Sequence, residues 1–246
     1  MSGPLRFHDT TATDVGAVRS VNEDSCIALP QAGLWAVADG MGGHEGGQHA
    51  SSSIVAALER AEMRDDLTEA AAVVADTVHA VNHSLFAEGR ERGITMGSTM
   101  VALVVRGREF AVLWAGDSRA YVFRDGQLIA LTRDHTQVQE MVDRGLLVAD
   151  QVENHPMKHV LSRAVGVQET LEIDGIRDQA LPGDLFLLCS DGLHGVLSEP
   201  EIAALLAQLG RHSADALITA CLDRGAPDNV TVAIVSASEP TSLSFA

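Results

Sequence analysis

The stretch that decides the fold is Leu34-Trp35-Ala36-Val37-Ala38-Asp39-Gly40-Met41-Gly42-Gly43-His44. Its first half is short and apolar on both alternating faces, which predicts a strand that is buried on both sides. The strand ends on Asp39, and the glycines after it let the backbone turn tightly and approach a ligand closely. A carboxylate at the mouth of a buried strand is costly to keep ionised unless a cation meets it. Asp39 is therefore a candidate divalent-metal ligand, and a plain Asp-Gly turn is the alternative.

The same pattern recurs at two later places in the chain. The apolar runs 110–117 and 184–191 also end on an aspartate, Asp117 and Asp191 respectively. Short apolar runs of this kind predict buried strands. Several strands are therefore expected to deliver carboxylates to one place.

Composition indicates one globular domain. The chain has 246 residues, 46% hydrophobic and 21% charged, which suits a single layered domain over 5–238 with a flexible tail over 239–246. No apolar run approaches the ~18 residues of a membrane span, and residues 1–4 lack the features of a signal peptide, so we expect a cytoplasmic protein.

The three cysteines are far apart and predict buried thiols rather than disulfides or a zinc site: Cys26, Cys189 and Cys221.

The formal net charge of −17 limits the partners. It argues against nucleic acid, whose phosphates need a basic surface, and against anionic membrane surfaces. An acidic surface is also a common way to remain soluble, and we expect a monomer. The excess carboxylates can equally supply the oxygen ligands that Mg²⁺ and Mn²⁺ prefer.

Strand blocks alternate with helix pairs along the chain. Runs rich in β-forming residues predict strands over 6–13, 25–29, 34–39, 98–105, 110–115, 120–123, 127–131, 184–190 and 229–235. Apolar residues spaced three and four apart predict helices over 47–61, 71–85, 202–209 and 214–222. Gln31-Ala32-Gly33 and Asp125-Gly126 are predicted hairpin turns. The order predicts an α+β fold in which sheets pack on each other with antiparallel helix pairs outside.

A long segment over 134–169 separates two of the predicted strands. It contains a helical stretch around Val138 and the polar turn Asn154-His155-Pro156. In compact domains, so long a segment is usually a functional lid or binding loop. We therefore predict a flap insertion here.

A set of short motifs gives this pattern a family resemblance. In chain order they are Arg19-x-x-Asn22-Glu23-Asp24, Asp39-Gly40-Met41-Gly42-Gly43-His44, Gly97-Ser98-Thr99, Gly116-Asp117-Ser118-Arg119, Asp134-His135, Asn154-His155-Pro156 with Leu161-Ser162-Arg163-Ala164, Ser190-Asp191-Gly192 and Asp228-Asn229. From about residue 14 to residue 235, the chain resembles bacterial metal-dependent serine/threonine protein phosphatases, the PPM or 2C-type family. The resemblance implies a four-layer sandwich, with two central antiparallel sheets between helix pairs. It also implies two Mg²⁺ or Mn²⁺ ions at one end.

The resemblance also implies metal-site roles. Asp39 matches the carboxylate that bridges the two ions, and Gly40 matches the residue whose carbonyl binds one of them. Asp191 and Asp228 resemble the remaining ligands of the other ion. Asp117 matches the residue that, with Asp191, holds a third and weaker ion. Two further acidic residues lie where the family ligates directly or holds metal-bound waters: Glu23 and Asp24.

Arg19 and His44 are the candidate catalytic side chains beside the metals. Arg19 is similar to the arginine that grips the substrate phosphate, and its planar fork suits two phosphate oxygens. Animal members place a histidine directly after the Asp-Gly pair as a candidate general acid, but Met41 stands there in this chain. His44, three positions later as in bacterial relatives, either serves as that acid or orients the loop and a metal-bound water.

The implied function is hydrolysis of phosphoserine and phosphothreonine in proteins, the products of a serine/threonine kinase, by direct attack of a metal-bridging hydroxide. Two divalent ions about 3.5–4 Å apart can activate a water for in-line attack, so no serine or cysteine nucleophile is needed. Two alternatives remain. One is a phosphoprotein-binding regulatory module without turnover, against which the intact ligand set argues. The other is a small-molecule phosphate monoesterase.

Overall fold

The structure is a computed structural model that describes residues 4–43, 45–148, 151–152 and 155–240. The strands are β1 (Arg6–Asp14), β2 (Asp24–Leu29), β3 (Leu34–Met41), β4 (Gly97–Ser98), β5 (Met100–Arg106), β6 (Glu109–Ala115), β7 (Arg119–Arg124), β8 (Gln127–Ala130), β9 (Asp174–Gln179), β10 (Leu185–Cys189) and β11 (Val230–Ser238). The α-helices are α1 (Glu45–Glu59), α2 (Leu67–Arg92), α3 (Gln137–Asp143), α4 (Asp191–His194), α5 (Glu199–Leu209) and α6 (Ala214–Leu222).

The strands form two antiparallel sheets. The first sheet has the order β1-β11-β10-β7-β8. The second has the order β2-β3-β5-β6-β9, with β4 paired to the end of β3. Every strand pair in both sheets is antiparallel, as expected when strands follow one another through short turns.

Three layers of apolar side chains separate the sheets and helices. Trp35 and Val37 of β3 point between the two sheets, where they join Phe186 of the first sheet. Leu34 and Ala36 alternate to the other face and pack under α1 and α2. A third cluster joins the outer face of the first sheet to α5 and α6. The predicted α+β sandwich with outer helix pairs is therefore confirmed.

Helix α2 has 26 residues, and a cap at each end fixes where it begins and stops. The Asp66 side chain accepts hydrogen bonds from the backbone N–H groups of Thr68 and Glu69, and the helix ends at Gly93 in the left-handed conformation, with φ of 66°. Its buried face includes Val74, Val78 and Leu85 at helical spacing. Such an apolar stripe holds α2 against the second sheet.

The two predicted hairpin turns, at 31–33 between β2 and β3 and at 125–126 between β7 and β8, were confirmed, and three other local predictions were wrong. The Asp125-Gly126 hairpin has positive φ at both residues, 51° and 79°, as a tight turn of this type needs. The strand predicted over 98–105 is interrupted at Thr99. The prediction also missed β9 and α4. In β9 only Ile176 is a large apolar residue, since this strand has only β6 as a neighbour.

The segment over 134–169 is tied to the body of the domain at both of its ends. Near its start, His135 N donates to Gly116 O at 2.9 Å, and Thr136 and Leu161 form an antiparallel bridge within the segment. Near the end of the segment, the Asn82 side chain of α2 accepts a hydrogen bond from Gly166 N at 2.7 Å and donates to Gln168 O at 3.0 Å. Of the polar turn predicted at 154–156, Asn154 lies outside the described residues, as do residues 241–246 of the predicted tail.

Candidate active site

Asp24 and Asp39 face each other across neighbouring strands. They are directly paired in the antiparallel register of β2 and β3, so their side chains lie on the same face of the second sheet. This is the face on which Val37 and Cys26 pack between the two sheets. Like charges directly opposite one another are destabilising in a sheet. The register therefore creates a place where a cation is favourable.

The backbone around Asp39 is held by polar side chains and a glycine. Its carbonyl accepts from Thr99 N at 2.8 Å and from Ser98 Oγ at 2.9 Å, and its N–H donates to Thr99 Oγ1 at 3.1 Å. A Cβ on Gly40 would lie 2.2 Å from the carbonyl oxygen of Gly47. Only glycine fits at this position, because the backbone at the start of α1 is in direct contact with the end of β3.

The first sheet brings Asp191 to the same place. Asp191 follows β10 and opens α4, and its charge is among the causes that raise the pKa of Asp39. Carboxylates this close together disfavour ionisation of one another unless a cation is present. The ends of the two sheets therefore meet at the pair Asp39 and Asp191.

Asp228 and Arg19 form the more exposed side of the cluster. Arg19 Nη2 donates to Asp228 Oδ2 at 2.7 Å, with 52% and 38% of the two side chains exposed. Asp228 Oδ1 accepts from the N–H of Asn229 at 2.9 Å. Arg19 thus stands at the rim of the carboxylate cluster, where a substrate from solvent can reach it.

Asn229 connects this rim to the loop that carries Glu23. Its Oδ1 accepts from Glu23 N at 2.8 Å, and its Nδ2 donates to the carbonyls of Val15 and Val21 at 2.9 and 3.0 Å. The carbonyl of Glu23 in turn accepts from Gly40 N at 3.2 Å. Glu23 is therefore fixed beside the end of β3.

Asp117 lies deeper, on the side of Asp191. It follows β6 and is only 7% exposed. Its carbonyl accepts a hydrogen bond of 3.0 Å from Nε2 of His194, the last residue of α4. Burial lowers the pKa of His194 to about 4, so the ring is neutral at pH 7. Helix α4 thus joins Asp191 to the backbone of Asp117.

Burial and mutual repulsion raise the pKa of the four buried aspartates of the cluster, Asp24, Asp39, Asp117 and Asp191. Burial is the largest cause for each of them and raises the pKa of Asp24 to about 6 and that of Asp117 to about 8. The pKa of Asp39 is raised well above its ordinary value by burial, then by Asp24 and Asp191. The hydrogen bond of 2.8 Å from Ser190 Oγ opposes the shift at Asp24. Ionising the whole cluster requires a compensating positive charge.

The donor groups fit Mg²⁺ or Mn²⁺. All are oxygens, and Asp24 Oδ1 is buried without a hydrogen-bond partner among the described residues. Among the residues that the structure describes, no three carboxylate, imidazole or thiol groups are close enough together to chelate one ion by themselves. Mg²⁺ needs only one or two carboxylates because it keeps several waters, so carboxylates grouped in pairs still suit it.

The structure thus brings most of the sequence-predicted site residues together. They are Arg19, Glu23, Asp24, Asp39, Gly40, Asp117, Asp191 and Asp228. His44 lies outside the described residues, and the roles of all these residues stay predictions. The sequence analysis assigned no role to Ser190, which donates to Asp24, to Asn229, which accepts from Glu23 N, or to Thr231, whose N–H donates to Ser190 Oγ. Signals were available, because Ser190 and Asn229 stand in the quoted motifs beside Asp191 and Asp228, and Thr231 is a threonine within the apolar β11.

No helix within the described residues is long and apolar enough to cross a membrane.

Comparisons with known proteins agree with the motifs. The sequence profile described as "Protein phosphatase 2C" matches residues 17–223. The serine/threonine protein phosphatase PstP of Mycobacterium tuberculosis is 38% identical over 225 residues, which are 90% of this chain and 43% of PstP. This chain therefore spans less than half of the length of that relative.

Two solved structures are similar over almost the whole chain. PppA, described as a key regulatory component of T6SS in Pseudomonas aeruginosa, has a TM-score of 0.89 and 41% identity, covering 96% of this chain and 100% of that one. The catalytic domain of PstP in complex with two manganese ions has a TM-score of 0.84 and 35% identity, covering 95% and 99%. With the profile matching most of its residues, this chain belongs to the protein phosphatase 2C family.

Proposed function

We propose that this chain is a metal-dependent protein-serine/threonine phosphatase, which hydrolyses phosphoserine and phosphothreonine in proteins. The observation that carries the proposal is the meeting of carboxylates from both sheets, with Asp24 and Asp39 directly opposed. Such a cluster has no use in packing and costs stability, so a cationic function explains it best. Family membership and the naming of its relatives as serine/threonine phosphatases support the same activity.

The acidic residues divide between two Mn²⁺ or Mg²⁺ ions. When bound, the ions supply a water activated at neutral pH and neutralise charge on the phosphate. Asp39 would serve as a ligand of both, since it is directly paired with Asp24 and the charge of Asp191 raises its pKa. Asp191 and Asp228 would hold one ion. The other would be held by the Gly40 carbonyl, by Asp39 and, directly or through water, by the remaining pair: Glu23 and Asp24.

Arg19 would bind the substrate phosphate. Its guanidinium carries five N–H donors, and the contact with Asp228 is at one nitrogen. The half-exposed side chain can therefore offer further donors to a phosphate approaching from solvent. Bound in this way, the phosphate would lie beside the ions, with its serine or threonine on the open side.

A third and weaker ion would be held by Asp117 and Asp191. The raised pKa of the buried Asp117, to which Asp191 contributes, supports a cation site on that side. We further propose that the segment over 134–169 is a flap beside the site, since its two ends are fixed to the domain by the hydrogen bond from His135 N to Gly116 O and by the bridge between Ser98 and Val165. The domain limits of 5–238, the monomeric state, the cytoplasmic location and the partner kinase stay predictions.

Phosphate release from a phosphoserine peptide tests the function. The wild-type protein should release phosphate with Mn²⁺ and stop when EDTA is added. Asp39→Asn should reduce this turnover by several orders of magnitude, because it removes the charge between the two ions. A matched control is Asp125→Asn, which changes an exposed carboxylate in the β7–β8 hairpin and should not affect turnover.

Each alternative function has its own outcome in this assay. Binding of the phosphopeptide without release of phosphate, with Mn²⁺ present, would show a regulatory binding module. Turnover of small phosphate esters with none of phosphoserine or phosphothreonine peptides would show a small-molecule phosphatase. Near-normal activity of Asp39→Asn would refute the two-ion mechanism itself.

A further inference from the structure

A single amide side chain bonds to both ends of the loop that carries Arg19. Asn229 Nδ2 donates to Val15 O at 2.9 Å and to Val21 O at 3.0 Å. Arg19 lies between these two residues in the chain, in the connection from β1 to β2. Because an amide NH₂ group has two N–H donors, each end of the loop receives one of them. The two bonds therefore fix the separation of the loop ends.

The orientation of this amide follows from its partners. Asn229 Oδ1 accepts from Glu23 N at 2.8 Å, while Nδ2 faces the two carbonyls. A rotation of the amide by 180° would set its oxygen against two carbonyl oxygens and its NH₂ group against a backbone N–H. Asn229 is only 5% exposed, so water cannot readily replace these partners. The side chain thus has a single satisfied position.

The first half of the loop lies directly on the segment that precedes Asn229. Ala17 N donates to Ala226 O at 3.0 Å. A Cβ on Gly16 would lie 2.2 Å from Asp228 O, and the φ of Gly16 is 77°, in the left-handed region. The loop therefore cannot shift any closer to this segment.

The contact between Arg19 and Asp228 is too weak to hold the loop by itself. Both side chains are partly exposed, and exposed ion pairs contribute little because water screens the charges and both side chains lose freedom. The hydrogen bonds of a buried side chain are costlier to break, because their donors and acceptors are left without partners. The position of the Arg19 backbone thus depends mainly on Asn229.

We propose that Asn229 is a positioning residue that holds Arg19 where its guanidinium meets the substrate phosphate. The proposal rests on the proposed phosphatase function and on the role of Arg19 in it. A binding group that is misplaced by about 1 Å can cost up to about 100-fold in rate, so the loop must be held accurately. Asn229 does not touch the phosphate in this role and acts only through Arg19.

Steady-state kinetics with a phosphoserine peptide at saturating Mn²⁺ test the proposal. Asn229→Asp keeps an oxygen for Glu23 N and removes both N–H donors, so KM should rise by roughly 10-fold with a much smaller change in kcat. The matched control is Ser213→Ala, which removes buried hydrogen bonds between α5 and α6 and should leave KM unchanged. A lower kcat at unchanged KM in Asn229→Asp would show a merely structural role and overturn the proposal.

Hydrogen exchange of the metal-free protein gives a second readout that does not depend on turnover. The Ala17 amide is protected by its bond to Ala226 O. A fragment over 15–23 should therefore exchange faster in Asn229→Asp than in the wild type, while fragments of α2 should not change. Exchange at the wild-type rate over 15–23 would contradict the role of Asn229 in holding the loop.

A double-mutant cycle shows whether Asn229 acts through Arg19. In an Arg19→Ala background, Asn229→Asp should cause no further rise in KM. An equal rise in both backgrounds would show that the new carboxylate repels the phosphate directly, and would overturn the proposal. Should Asn229→Asp not fold, Gly16→Ala displaces the same loop, and an unchanged KM there would be equally fatal. A wild-type protein that releases no phosphate from the peptide would instead refute the proposed function.

Discussion

Arg19 and Asp228 are joined by a 2.7 Å hydrogen bond at the rim of the carboxylate cluster. The pair is half exposed, so it contributes little to stability on its own, typically less than about 1 kcal/mol. The importance of the pair is that it fixes the position of the Arg19 guanidinium. Asp228 keeps the guanidinium next to the carboxylate cluster, and the contact uses one nitrogen, so most of its N–H donors are left for a substrate.

Replacement of Arg19 should therefore affect substrate binding more than the chemical step. We expect Arg19→Ala to lower kcat/KM by roughly 10–100-fold, because a hydrogen bond between charged groups is worth about 1.5–3 kcal/mol. Most of this change should appear as a higher KM in steady-state assays with a phosphoserine peptide. Arg60→Ala, an exposed arginine at the end of α1, is the control. An unchanged KM in Arg19→Ala would remove this residue from the site.

Gly40 should tolerate no side chain at all. A Cβ there would lie 2.2 Å from Gly47 O and 2.5 Å from Glu23 O, so Gly40→Ala must push α1 away from β3. We expect about 1–3 kcal/mol of destabilisation, hence a Tm lower by several degrees, together with a large loss of Mn²⁺-dependent turnover. Gly175→Ala is the matched control, because its nearest neighbour would be at an ordinary 3.6 Å. Full activity in Gly40→Ala would contradict this geometry.

The acidic cluster predicts that the metal-free protein loses stability as pH rises. The folded-state pKa of Asp117 is about 8, above its unfolded value, so its favourable contribution is present at low pH and lost as pH passes through 8. Asp39 acts in the same direction. Thermal unfolding in EDTA should therefore give a lower Tm at pH 8.5 than at pH 7.0. Titration of His194 changes stability in the opposite direction, but only at acidic pH, because its folded-state pKa is about 4. It therefore does not affect the comparison between pH 7.0 and pH 8.5.

Two further samples separate this effect from general alkaline instability. Asp117→Asn should have a smaller fall in Tm over the same window. Saturating Mn²⁺ should also reduce the fall, because the cation favours ionised carboxylates. A wild-type Tm that does not change between the two pH values would show that the cluster is not strained without its ions.

Asn82 should affect kcat/KM for phosphopeptides more than for small phosphate esters. Asn82→Leu leaves Gly166 N and the carbonyl of Gln168 without their partner, and each buried group left this way costs about 1–3 kcal/mol. The end of the proposed flap should then loosen. We expect kcat/KM to fall more for a phosphopeptide than for nitrophenyl phosphate. Ser84→Ala, exposed on the same helix, is the control. Equal losses on both substrates would argue against a role for the flap in peptide binding.

The sequence predicted those parts of the site that local pattern controls. Asp39, Asp117 and Asp191 each end an apolar run, and a strand that stops on a carboxylate can be read without a structure. Helix α2 and the Asp125-Gly126 hairpin likewise follow from local spacing and turn chemistry. In these cases one short segment contains all the information.

What the sequence could not predict depends on register between distant segments. That Asp24 lies opposite Asp39 is a property of the β2–β3 pairing, and that Thr13 meets Thr231 is a property of β1–β11. The break at Thr99 is of the same kind, because its hydroxyl bonds to Ser118 at 2.6 Å and accepts from Asp39 N. Side-chain hydrogen bonds of this type leave no periodic pattern.

The two sheets supply opposite halves of the proposed metal site. Asp24 and Asp39 come from one, and Asp191 and Asp228 from the other. Ions bound there would be held by the folded chain and released on unfolding, so they would stabilise it in proportion to the logarithm of their concentration. The free Mn²⁺ or Mg²⁺ in a cell would then set the resistance of this protein to proteolysis, and hence its abundance, as well as its rate of turnover.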